Sequence, residues 1–91
     1  MVRIEVRNGL YVAPGDVYKI RLKVQETDMG GRQTLTYLGR IQGIEEQHLI
    51  LNPGIVFYSY ITCWGGTSEM DREFEEEKIP LGSIDEIIGL N

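Results

Sequence analysis

The chain has 91 residues with one cysteine, one histidine and a net charge of −5. That bounds it to one small domain and excludes an internal disulfide, a cysteine-rich zinc site and a paired-histidine metal site. Hydrophobic content of 42% and charged content of 25% are those of a globular chain, and no apolar run approaches the ~18 residues of a membrane span.

The start, MVRIEVRNGLYV, lacks the apolar stretch of a signal peptide. The expectation is a cytoplasmic protein without membrane contact, whose thin core favours a homo-oligomer. Charge is unevenly spread. Residues 1–40 hold seven Lys/Arg against four Asp/Glu, net +3; residues 41–91 hold two against ten, net −8. Six of those acids lie in EMDREFEEE, 69–77. Such a run keeps a hairpin or loop solvated, or sets the acidic half of one copy against the basic half of another.

Residues 2–7, VRIEVR, alternate as a half-buried strand with Val2, Ile4 and Val6 inward. APGD at 13–16 is a turn. VYKIRLKVQE at 17–26 alternates again, with Tyr18, Ile20, Leu22 and Val24 on one face and Lys19, Arg21 and Lys23 on the other. TDMGGR at 27–32 leads to a third strand, QTLTYLGRIQGI at 33–44, whose Gly39 and Gly43 mark bulges or bends. EEQH at 45–48 is the next turn, followed by the buried strand LIL at 49–51. NPG at 52–54 interrupts, because proline donates no ladder hydrogen bond.

IVFYSYITCW at 55–64 is rich in β-formers and ends in Gly65-Gly66, a two-residue hairpin signal. Residues 68–78 admit two readings. Ser68 and Asp71 have the spacing of a helix capping box. A return strand with Trp64 opposite Thr67 pairs Phe57 with Phe74 and Ile61 with Met70, and these matched apolar pairs favour the hairpin. KIPL at 78–81 is a further strand, Gly82 a bend, and SIDEIIGLN a turn into the last strand. The reading is all-β: one domain over 1–91, a small SH3-like barrel of five to six antiparallel strands with a long hairpin around 55–81.

Strand, GRIQGIEEQHLIL, hairpin and KIPLGSIDEII together resemble the Sm and Sm-like (LSm) proteins over residues 15–90. Gly39, Ile41, Ile44, Glu45 and Leu49–Leu51 follow that family's first motif, with His48 where it has asparagine and a turn one residue shorter. Leu81-Gly82 follows its second motif, with leucine in place of arginine. Where the family usually has an N-terminal helix, residues 1–7 read as a strand. The resemblance implies a ring of six or seven subunits joined through strand edges. It also implies single-stranded RNA bound near the pore by Glu45, Gln47, His48 and Gly82.

A second reading is a non-enzymatic protein-interaction or assembly module on the same barrel. Tyr58, Tyr60 and Trp64 are its interface candidates, since such rings combine apolar area with a polar handle. In the proposed register Tyr58 faces Glu73 and Tyr60 faces Asp71, which disfavours phosphates on that face. Lys19, Arg21 and Lys23 are candidates to track phosphates. Cys63, on the apolar side of its strand, reads as a buried thiol. Nothing resembles a GxSxG, P-loop or GxGxxG motif, so the expectation is a protein that is no enzyme and carries no metal or other cofactor.

Overall fold

A computed structural model describes residues 3–27 and 29–90. The alternating start becomes a hairpin of β1 (Ile4–Arg7) and β2 (Leu10–Val12); Val2 lies outside the described residues. Asn8-Gly9 closes it, with Gly9 at φ 76°, and Asn-Gly is the favoured pair for a two-residue turn. Val6 and Val12 point into the core. Arg7 ties the hairpin down by donating to the carbonyls of Ile84 (2.9 Å) and Asp85 (2.7 Å).

The rest of the chain forms one antiparallel sheet. Its strands are β3 (Val17–Leu22), β4 (Gln25–Glu26), β5 (Arg32–Glu45), β6 (His48–Ile61), β7 (Thr67–Phe74), β8 (Glu77–Pro80) and β9 (Ile84–Gly89). A single 3-10 turn, Leu81–Ser83, separates the last two. The backbone ladder runs β7-β6-β5-β3-β9, with β4 on β5 and β8 on β6. Among the described residues no pairing joins β7 to β9, so each keeps one free edge. The all-β, antiparallel expectation holds, and 68–78 is strand on either side of a bend at Glu75-Glu76 rather than helix. The count differs: nine strands among the described residues replace five to six, since Leu10–Val12 forms an extra strand and 17–26 divides into β3 and β4.

NPG does not interrupt the sheet; β6 runs through it with a cis Asn52–Pro53 bond. Ladder pairing passes from Gly39↔Gly54 to Ile41↔Leu51, leaving Asn52 and Pro53 in a register shift. A missing N–H costs no ladder bond there. The bend needs close backbones: a Cβ on Gly39 would lie 2.9 Å from the Pro53 carbonyl oxygen. One on Gly54 would lie 2.6 Å from both the Leu38 carbonyl oxygen and the Phe74 ring. Ile20, Leu22, Ile41, Leu49, Leu51, Val56, Ile79 and Ile84 line the concave side of this bend as the core.

Candidate functional site

The bend brings two turns together at one end of the sheet. Glu45 and His48 close the β5–β6 hairpin as a cross-strand pair. Between them Glu46 (φ 49°) and Gln47 (φ 66°) both take left-handed backbone, the geometry of a two-residue primed turn and a costly one for side chains other than glycine. His48 Nδ1 lies 2.8 Å from the Glu46 carbonyl oxygen. A carbonyl only accepts, so Nδ1 holds the proton and Nε2 of the neutral ring is left as an acceptor.

The second turn docks against the first. His48 pairs with Pro80 across the β6–β8 ladder, and the Leu81 N–H donates to the Gln47 carbonyl at 2.9 Å. Ser83 Oγ donates to the Pro80 carbonyl at 2.8 Å and holds the turn tight. Glu45, Gln47 and Gly82 are exposed and His48 half-buried, so the four residues sit on two touching turns. A Cβ at Gly82 would meet nothing, and its φ is not positive. Nothing in the chain's own packing demands glycine there.

Sequence reasoning missed one residue at this end. Arg7 reads as a solvent-facing strand residue, yet its guanidinium binds the backbone just after Gly82. It forms no ion pair among the described residues. The only signal for it was the Asn8-Gly9 turn, which folds β1 back along β2.

The interface candidates are arranged differently from the expectation. The β6–β7 loop is five residues long, Thr62–Gly66, because Ile61 pairs with Thr67. Thr62 organises it: its Oγ1 accepts from the Gly66 N–H (3.0 Å), and Gly65 takes φ 89°. The shift is three residues, an odd number, so the faces exchange. Tyr58 faces Met70, Tyr60 faces Ser68, and Phe57 faces Asp71. Tyr58 is half-buried against the core. Tyr60 covers Gly31, where a Cβ would fall 2.6 Å from its hydroxyl, and lies 3.5 Å from Thr27 Oγ1. Trp64 leaves the strand altogether and stands 90% exposed at the loop tip. Cys63 is exposed beside it, not buried.

Arg21 is occupied by ion pairs to Asp85 (3.1 Å) and Glu86 (3.5 Å); Lys19 and Lys23 have none among the described residues. On the concave face Arg72 bonds Glu77 at 2.6 Å, and Glu77 and Tyr58 hold its guanidinium more firmly protonated than usual. Next to it Tyr37 meets Phe74 edge-on, ring centroids 5.9 Å apart. Burial, then the negative charge of Glu77 and the Tyr58 ring, raises the Tyr37 hydroxyl above its ordinary value of 10.0, with Arg72 opposing. The folded state therefore keeps a proton that the unfolded chain releases. Stability from this group is present below pH 10 and lost as pH rises through the folded value. Denaturant midpoints followed from about pH 9 to 12 should fall for the wild type, and less steeply for Tyr37→Phe.

No protein-family model, curated protein or solved structure matches the chain. Among the described residues, no group of three His, Cys, Asp or Glu is gathered to hold a metal ion, and no helix is long and apolar enough to cross a membrane.

Proposed function

We propose that the chain is an Sm-like small-barrel protein that assembles through its strand edges into a homo-oligomeric ring and binds single-stranded RNA at the paired turns. The observation that carries this reading is the contact between the turn 45–48 and the turn 81–83, through the Leu81 N–H and the Gln47 carbonyl. The order β7-β6-β5-β3-β9 supports it, because the free edges of β7 and β9 can continue one sheet from subunit to subunit. In such a ring the His48 ring and the Gln47 amide offer stacking and hydrogen bonding to unstacked bases. Open space at Gly82 lets the nucleotide approach the backbone. Arg7 supplies, from the N-terminal hairpin, the cation that Leu81 cannot.

A second reading, an assembly module that binds protein and not RNA, is favoured by the exposed carboxylates of Glu45 and Glu46 in the same turn. One experiment separates the two. Light scattering should give the mass of a ring of six or seven chains, or of two such rings paired, and a labelled oligouridine should bind at low salt, where phosphate contacts are strongest. His48→Ala should weaken that binding roughly tenfold, given ~1–3 kcal/mol per stacked base. An intact assembly that ignores oligouridine turns the function to the second reading; a monomer removes the ring.

A further inference from the structure

The convex face of the sheet, opposite the core, has a charge order that the alternation of each strand alone does not reveal. The ladder aligns its side chains in rows across five strands. One row reads Ile88, Lys19, Leu38, Ile55, Glu73 from β9 to β7. The next reads Glu86, Arg21, Thr36, Phe57, Asp71. From β3 to β7 each row thus passes from a cation through an apolar or small centre to a carboxylate, with the cation free among the described residues in the first row and paired to Glu86 of β9 in the second. Phe57 is 41% exposed and Ile88 42%. Phe57, Leu38 and Lys19 line a groove of about 450 Å³. Lys19, Asp71 and Glu73 have no ion-pair partner among the described residues. Uncovered apolar surface with unneutralised charge of both signs, in a fixed order, is complementary to its own image.

We infer that this face is an isologous interface, and that its occupant is the same face of a second copy of the chain. A two-fold axis parallel to the strands, between β5 and β6, exchanges β3 with β7 and β5 with β6. The rows then meet in kind: Lys19 opposes the second copy's Glu73 and Leu38 its Ile55, while Arg21, already paired to Asp85 and Glu86 in its own chain, lies over Asp71 and adds little. Each contact occurs twice. Sheets packed face to face cross at about 30°, an offset that the long lysine and glutamate side chains span. The face spans the five strands β9-β3-β5-β6-β7, and a specific interface needs roughly 800 Å² buried per partner. Only side chains are used, so the free edges of β7 and β9 remain available and the contact is independent of edge pairing.

Two charge reversals test this. Lys19→Glu makes both ends of its row acidic, and Glu73→Lys makes both ends basic. Each variant should therefore repel its own copies. A 1:1 mixture should associate, because every contact is then between opposite charges. The readout is native mass in low salt by light scattering. Wild-type protein and the mixture should show twice the mass of either variant alone, and each reversal should weaken the pairing roughly ten- to a hundredfold. Restoration by mixing also shows that both variants are folded. The inference is overturned if the reversals leave the mass unchanged, if mixing does not restore it, or if the wild-type mass is not divisible into pairs.

Discussion

Gly54→Ala is expected to destabilise the fold by about 1–3 kcal/mol, and Gly54→Val by more, because the site is already at backbone contact. A Cβ at residue 54 meets the Leu38 carbonyl oxygen and the Phe74 ring at 2.6 Å each, and the Gly39 Cα at 3.0 Å. Phe74 can rotate or shift. The Leu38 carbonyl belongs to the β5–β6 ladder and cannot move without opening it. For a domain of this size, 1 kcal/mol corresponds to roughly 4–8 °C in Tm, so a thermal melt detects even the lower bound. Gly43→Ala is the internal control. That position also lies in the register shift, but a Cβ there meets nothing, and the change should be neutral or slightly stabilising through the unfolded chain. Equal losses at the two positions would show that the close approach of β5 and β6 does not hold the bend.

Gly39 and Gly43 show what periodicity carries and what it leaves open. Both read as marks of a bend, and the ladder does shift on either side of Ile41. Which one lies against another backbone depends on the partner strand, and residue types do not state that. Alternation assigned Ile20 and Leu22 inward and Lys19 and Arg21 outward, as found, because one period-2 rule decides a strand with one buried face. It failed where a loop sets the register. Gly65-Gly66 carried the signal of a two-residue turn, whereas Thr62 closes a five-residue loop by a side-chain bond within it. That difference moved Glu69, Asp71 and Glu73 to the face of Phe57 and left Tyr58 and Tyr60 with the core. The turn 45–48 was legible from its flanking apolar strands. Its contact with 81–83 follows from β8 pairing with β6, far along the chain, and Arg7 reached that end only through a hairpin no periodicity announced.

Phe74→Ala is expected to cost about 3–5 kcal/mol, as loss of a buried phenylalanine does, and to act first on β7. Every other residue of that strand is exposed; Phe74 alone is buried, against Tyr37 and over Gly54. Without the ring, β7 is held by its ladder to β6 and by the Arg72–Glu77 pair, an exposed contact that contributes little. Amide exchange at 67–73 should then rise well before the core amides of β3 and β6 respond, since a strand with few buried contacts opens at low free energy. The double variant Gly54→Ala/Phe74→Ala should cost less than the two single changes added together, because removing the ring relieves one of the two contacts that the new Cβ makes. The same variant bears on assembly. If subunits join through the free edge of β7, loosening this strand must lower the native mass at fixed concentration while the monomer remains folded. An assembly that keeps its full mass while the β7 amides exchange as in an unfolded chain would show that its subunits meet elsewhere on the sheet.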